Sequence, residues 1–577
     1  MITDYILLYF SALIISFSIL GYGFLLSKII NKDLSYYNLG YQGLLGILFL
    51  TTISYLTIFF VKHDYVHNII IHLIGISSFI FYFKKKFTSM DLKKFIILFS
   101  ILFIGLLVIR NHDDFNYYHL TYSLGLTEHK IFMGLGQFQH GYKHHSSLFF
   151  FNSIIFLPYI KYYLFHSLGW FTLIFINYLI IDFLLFNKIK ELKFEYFFYL
   201  FLILFINVKF SRIGGYGTDL SSQMILMTLF PLIYSTLQID IKNPLFKSNL
   251  LMIILLITYT VTLKSFFILN FLFLISFLFL YNYKKIFNIA IFNNAFVFSV
   301  ITIFLLLSIN LAYTGCAIYP VKLTCLSNQL SWALEKDHVE MMNNWYQQWS
   351  KSGASSTYRV ENPEEYIKGF NWVSNWFDRY FLYKFKELIG GLIFLIILMI
   401  ILFRGPNKNI SNKLKNKTLI ILFTITFILF FEWFYNHPAL RYGGYYLFCI
   451  IIFIPICFYL DKKKFIFAKK NRVIISLILV SFVVFYIRNI QRINEELTIV
   501  KDNKFPLFYS PKQNYKEFVL EHKTKLYVPI DLSGCWAIKT PCVTGTDHII
   551  INKKWGYTIF SKKNKINFKN THYIIIL

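Results

Sequence analysis

The segment RNHDDFNYYH, residues 110–119, sets two adjacent carboxylates, Asp113 and Asp114, directly after the apolar run FIILFSILFIGLLVI, with His119 close behind. A carboxylate within hydrogen-bond reach of a hydroxyl can take its proton as a general base. Ionisable groups beside a membrane span are costly unless they face water or do chemistry. Cations of the complementary kind stand elsewhere in short turns: Lys264 in TYTVTLKSFF and Arg441 in HPALRYGGYY. Such groups hold negative charge on phosphate oxygens, arginine in a bidentate manner. Arg212 and Asp219 flank the glycine-rich turn IGGYGT. That turn lacks the P-loop lysine and follows no soluble strand, so nucleotide binding is set aside, leaving a salt bridge between its flanking residues or contact with substrate.

Three histidines, His140, His144 and His145, lie in QFQHGYKHHSS. His140 and His144 are spaced as paired ligands on a helix would be, but Gly141 interrupts and no glutamate completes an HExxH pattern. Metal ligation, hydrogen bonding to substrate and an interfacial polar belt all remain open for them. Trp345 with Trp349, and Trp372 with Trp376, each share a helical face; anchoring at a membrane surface or stacking on a sugar are the two readings.

The elements that must position these residues are membrane helices. The chain has 577 residues, 56% hydrophobic and 20% aromatic with only 15% charged, which excludes an ordinary globular domain. Apolar runs of helical membrane-crossing length recur from end to end, and no alternating strand pattern points to a barrel. The net charge of +28 resides in short lysine clusters between apolar runs, such as residues 84–94, 187–193, 404–417 and 461–472, rather than on a nucleic-acid-binding face. Under the positive-inside rule these clusters are cytoplasmic. The first segment, 5–30, lacks a basic leader and reads as a span rather than a cleaved signal.

This reading predicts about fourteen spans, among them 93–109, 194–210, 220–237 and 265–283. The run SSLFFFNSIIFLP, 146–158, is too short to cross and reads as a re-entrant or interfacial half-helix. Five regions follow: N-terminal helices (1–109), a core with the first acidic loop (110–311), a large loop (312–386), C-terminal helices (387–487) and a terminal domain (488–577). All the unusual polar residues then fall on the extracytoplasmic face. Four of the six cysteines do too; local disulfides, Cys316 with Cys325 and Cys535 with Cys542, are the simplest reading, and a metal is the alternative, although neither pair has the tight CxxC spacing. The terminal domain alternates short β-like runs, TKLYVPIDL and HYIIIL, with turns, and is expected to be a small α/β appendage. Tyr118, Tyr122 and His119 have the spacing of an amphipathic helix lying along the outer leaflet.

A span ending in an acidic pair, followed by an interfacial helix carrying tyrosine and histidine, resembles the first extracytoplasmic loop of the GT-C superfamily, polytopic glycosyltransferases that use polyprenyl-phosphate sugars. Here the acidic loop follows the fourth span rather than the first, so three further helices precede the module. The resemblance implies an all-α GT-C-like fold in a bacterial inner membrane, with the active site facing the periplasm or exterior. It implies transfer of a sugar from a polyprenyl-phosphate donor to a glycan, lipid or protein acceptor by a single inverting displacement. Asp113 or Asp114 would be the base; Lys264, Arg441 and Arg212 would hold the leaving phosphate, and His119, His144, His145 and Asp219 would contact substrate. Some members use a divalent cation and others do not, so the metal requirement stays open; no nucleic-acid partner is expected. An O-antigen polymerase or ligase is the neighbouring reading, and a lipid-linked glycan flippase the third. A transporter places charged groups near the bilayer midplane, whereas Asp182 and Glu432 sit near span ends.

Overall fold

The computed structural model describes residues 2–108, 114–186, 193–353, 360–407, 413–465, 467–499, 513–530, 534–546 and 549–562. Asp113 and the HYIIIL run lie outside the described residues. The described chain is predominantly helical because long apolar runs satisfy their own backbone hydrogen bonds only as helices. Polar residues set where they begin: Asn38, Asp64, Asn243 and Asn293 each accept a backbone N–H of the first turn, and Thr88 forms a reciprocal capping box with Asp91.

The path runs back and forth between two ends. Helices α1 (Ile2–Ile30), α2 (Leu39–Thr57), α3 (Tyr65–Lys86) and α4 (Ser89–Leu102) form the first group. A π-helical turn, Phe115–His119, leads into α5 (Leu120–Glu128), followed by the short α6 (Ser147–Ile154). Then come α7 (Leu168–Ile181), α8 (Phe194–Lys209), α9 (Asp219–Thr236), α10 (Pro244–Leu263), α11 (Leu272–Leu280), α12 (Tyr283–Ile291) and α13 (Asn294–Thr314). The large loop contributes α14 (Lys336–Lys351), α15 (Pro363–Ile367) and α16 (Val373–Trp376). Finally, α17 (Lys386–Leu402), α18 (Lys413–Asn436), α19 (Gly444–Asp461) and α20 (Phe467–Ile499) complete the helical body.

Among the described residues, ten helices are long and apolar enough to cross a membrane. The difference from fourteen has local causes. The 93–109 run is a short α4 that tightens into a 3-10 turn at Phe103–Leu107, α8 has 16 residues, and 265–283 is a 3-10 segment, Ser265–Phe271, joined to α11. Helix α9 has full length, but its first turns carry Asp219, Ser221, Ser222 and Gln223.

Contacts sort the helix ends into two groups. At one end Lys94 pairs with Asp182 (3.5 Å), Lys415 with Asp461 (3.0 Å), and Lys470 donates to the Leu402 carbonyl (2.7 Å). At the other, Tyr9 meets Ser100 (2.7 Å), Arg488 donates to the Val208 carbonyl (2.7 Å), and the loops carrying Asp219, Lys264 and Arg441 meet. Lys94, Lys415 and Lys470 of the lysine clusters thus lie at the end opposite the polar loops. Close packing of α1 requires glycine: a Cβ at Gly23 would lie 1.8 Å from the Gln42 carbonyl oxygen, and one at Gly21 equally near that of Gly75.

The segment expected to lie on the outer leaflet is instead enclosed. Residues Tyr118 to Leu124 are buried, with Tyr122 stacked on Tyr313 (5.4 Å) and Phe149 (4.5 Å), and a Cβ at Gly125 would touch Thr540. Helix α6 is the expected half-helix, buried along its whole length.

Among its described residues, the C-terminal appendage is β rather than α/β. Strands β1 (Tyr515–Val519) and β2 (Lys525–Pro529) pair antiparallel with Tyr515 opposite Pro529; β3 (Ile549–Lys554) and β4 (Tyr557–Lys562) pair with Ile549 opposite Lys562. The two-residue turn Trp555–Gly556 has positive φ at both positions, which matches strand twist in a tight hairpin. Both expected disulfides are present, Cys316–Cys325 and Cys535–Cys542. The second closes a loop that grips the acidic segment: Trp536 N–H donates to the Asn116 carbonyl (2.9 Å), Tyr142 to the Cys542 carbonyl (2.9 Å), and Thr540 to Glu128 (2.5 Å).

Candidate functional site

Asp219 opens α9 and is fully buried. A carboxylate at a helix N-terminus meets the positive end of the helix dipole. Lys264 lies where α10 ends: its backbone turns to an extended conformation, and its ammonium pairs with Asp219. Arg441 sits in a 3-10 turn, Leu440–Tyr442, and its Nε donates to the other Asp219 oxygen at 3.1 Å. One buried carboxylate therefore holds two cations contributed by loops far apart in sequence. Burial alone would raise the Asp219 carboxyl, but the two cations prevail and hold it below the usual carboxylate range.

Gln223, one turn along α9, locks this geometry by donating to the Arg441 carbonyl (2.9 Å) and accepting the Tyr446 N–H (3.2 Å). Gly443, with φ of 118°, makes the reversal from the arginine turn into α19. Aromatic faces enclose the cations. The Lys264 ammonium lies 4.1 Å from the Tyr442 ring centre, and the Arg441 guanidinium lies 5.2 Å from Tyr442 and 5.7 Å from Trp349.

Asp114 immediately precedes the π-helical turn and is half-buried. Its charge acts on Arg441, Lys264, Tyr442 and His140, so it faces the same cluster. His119 is buried against Phe149 (5.2 Å), and a Cβ on Gly217, in the turn leading to Asp219, would lie 3.0 Å from its ring. Arg212 starts the 3-10 turn of that same loop and is half-exposed. The structure thus brings Asp114, His119, Asp219, Lys264 and Arg441 to one end of the helical body and gives Asp219 two cationic partners, Lys264 and Arg441.

The histidines of the 140–145 segment do not form a helix face. His140 and His144 converge on Tyr346 of α14, whose hydroxyl meets His140 Nδ1 (2.9 Å), His144 Nε2 (3.0 Å) and the Tyr319 hydroxyl (3.1 Å). His145 Nδ1 meets the Tyr122 hydroxyl at 2.6 Å. Burial lowers His140 to about 4 and His145 to about 3, so both are neutral at pH 7. Among the described residues no group of three or more His, Cys, Asp or Glu side chains is arranged to hold a metal ion.

Lys143 lies beneath this cluster with its Nζ 2.8 Å from His338 Nε2. Burial lowers its ammonium from 10.5 to about 7, with Lys562 adding to the shift. A lysine depressed in the folded state is penalised whenever it is protonated, so between about pH 7 and 10 the unfolded chain binds more protons and stability rises with pH. Thermal melts in detergent are expected to give a higher midpoint at about pH 9 than at about pH 7, and Lys143→Met is expected to flatten that difference.

The tryptophan pairs separate. Trp372 and Trp376 are core residues, with Trp376 donating to the Pro438 carbonyl (2.8 Å), whereas Trp345 and Trp349 border His140 and Arg441. The sequence reading missed Tyr346, Tyr319 and Gln223. Gln223 alone left a signal, being a polar side chain one helical turn after Asp219, on the same face of α9.

Beside Lys264 and Arg441 lies a crevice of about 20 Å³ bounded by Phe266, Asn270, Glu432, His437, Tyr442 and Tyr446. It holds little more than a water molecule.

No curated protein and no solved structure matches this chain. Residues 5–448 match the model of a family described as a domain of unknown function (DUF8201), a stretch that contains Asp114, His144, Asp219, Lys264 and Arg441, and the chain belongs to that family.

Proposed function

We propose that the chain is a membrane glycosyltransferase of GT-C type, transferring a sugar from a polyprenyl-phosphate donor on the extracytoplasmic side. The observation that carries this reading is the convergence of a half-buried acid, Asp114, with Lys264 and Arg441 at the end of the body opposite the lysine clusters. The acceptor hydroxyl gives its proton to Asp114 or to Asp113. Its oxygen bonds to the anomeric carbon while the bond from that carbon to the phosphate oxygen breaks. The electron pair leaves with the phosphate, and the anomeric centre inverts.

Once Asp114 has taken the acceptor proton, Lys264 and Arg441 carry two positive charges against the single charge of Asp219, leaving an excess for the departing phosphate. Asp219 is unsuited to be the base: it is fully buried and already held ionised between two cations. Its role is to position them. A prenyl headgroup enters the crevice beside them only as Tyr442 or His437 moves, since the space there is about 20 Å³.

The test is purified protein in liposomes supplied with labelled polyprenyl-phosphate sugars and candidate acceptors. Covalent transfer without nucleotide supports the reading; translocation of the intact lipid without bond breakage overturns it in favour of a carrier. Trp349 offers a finer test. Its ring borders the Arg441 guanidinium at half-exposed depth, and removing such a contact costs about 0.5–2 kcal/mol. Trp349→Ala is therefore expected to raise the KM for donor by about twofold to thirtyfold while lowering the melting midpoint only slightly.

A further inference from the structure

A second site lies at the same end of the body, apart from the charged cluster. It is a groove of about 880 Å³ enclosed by the α2–α3 turn, the segment that follows α5, and the β3–β4 hairpin. Its walls are tied together by backbone bonds: His63 N–H to the Leu126 carbonyl (2.9 Å), Ile131 N–H to that of Ile58 (3.2 Å), and Met133 N–H to that of Thr558 (3.0 Å). Tyr557 also donates to the Phe59 carbonyl at 2.8 Å. Such a groove is preformed, and its size is that of a ligand site.

The lining has two chemistries. Phe60, Val66 and Ile70 are apolar and strongly exposed, Val66 by 67%, and the last two stand on α3, a helix of membrane-crossing length whose apolar face is largely uncovered. The rim carries two ammonium groups, Lys62 and Lys130, and two carboxylates, Asp64 and Glu128, with the imidazoles of His67 and His129 beside them. Lys130 is oriented by the Tyr557 ring, 4.5 Å from its Nζ. Lys62 lies 3.5 Å from Asp64, and Glu128 accepts from Thr540, so the rim is nearly balanced in charge.

We propose that this groove binds a zwitterionic phospholipid with a primary ammonium headgroup, of the phosphatidylethanolamine class. Its acyl chains lie along Val66 and Ile70, its phosphate meets Lys62 and Lys130, and its ammonium donates to Asp64 or Glu128. An anionic headgroup brings its charge against two carboxylates. A quaternary ammonium cannot donate the hydrogen bonds that charged acceptors reward. The inference is independent of the glycosyl-transfer reading, because it uses none of that site's residues.

The test is native mass spectrometry of the full chain after exchange into micelles doped equally with phosphatidylethanolamine, phosphatidylcholine and phosphatidylglycerol. One charge-assisted hydrogen bond corresponds to about tenfold preferential retention of the ethanolamine lipid. Asp64→Asn combined with Glu128→Gln is expected to remove most of that preference, whereas Lys130→Ala is expected to lower retention of all three lipids, since each carries a phosphate. Val66→Trp, at an exposed position where folding is undisturbed, is expected to fill the groove and lower retention of all three lipids with an unchanged melting midpoint. Equal retention of the three lipids, stronger retention of the anionic one, or unchanged occupancy in Val66→Trp overturns the proposal.

Discussion

Asp114→Asn is expected to lower sugar transfer by about a hundredfold to ten-thousandfold while leaving the protein folded, because loss of a general base costs that much when geometry is kept. The Asp114 side chain makes no capping bond to the turn that follows it, so an amide of the same shape keeps the local backbone. Transfer assays on Asp114→Asn and Asp113→Asn, each paired with a melt in detergent, separate chemistry from folding. Full activity in both variants would end the assignment of a base to this loop. Asp219 stays ionised throughout the neutral range, so an acid limb in the activity profile between about pH 5 and 7 reports a different group.

Asp219→Ala is expected to damage both stability and activity. It leaves the half-buried Lys264 and Arg441 without their shared counter-charge, a loss that approaches the roughly 3–5 kcal/mol seen when a fully buried pair is broken. A fall in melting midpoint of many degrees and abolished transfer are the expected readouts. The double variant Asp219→Ala with Lys264→Met removes one of the two stranded charges and is expected to regain part of the stability and none of the activity. A double-mutant cycle on these positions therefore shows strong coupling if the geometry is right. Additive losses would mean that the three side chains do not act as one unit.

Much of this arrangement was legible in the chain itself, because hydrophobic runs and lysine clusters are one-dimensional signals. They sorted Asp114, Asp219, Lys264 and Arg441 to a common end, and the structure joins three of them in one ion cluster. The half-helix at Ser147–Ile154 and both disulfides were equally accessible, the first from its length and the others from local cysteine spacing. What escaped depends on partners remote in sequence. The spacing of Tyr118 and Tyr122 fits an amphipathic helix on a lipid surface, yet Thr540 and Trp536 cover it from more than 400 positions away. The two tryptophan pairs share the same spacing, and only the helices that carry them decide that one is core and the other borders a guanidinium. Helix α9 falls outside the ten for the reason that makes it interesting. Two of the polar residues of its first turns that dilute its hydropathy, Asp219 and Gln223, are those that hold Arg441 and Lys264 in place.

The grip of the Cys535–Cys542 loop on residues 116–142 has a bearing on how the molecule matures. A chain emerges from the ribosome N-terminus first, so the acidic loop is made about 400 residues before its cover. Between those moments, the aromatic side chains that follow Asp114 stand uncovered. Completion of the candidate site thus waits on delivery and oxidation of the Cys535–Cys542 loop, which ties competence to a late checkpoint in biogenesis rather than to membrane insertion itself.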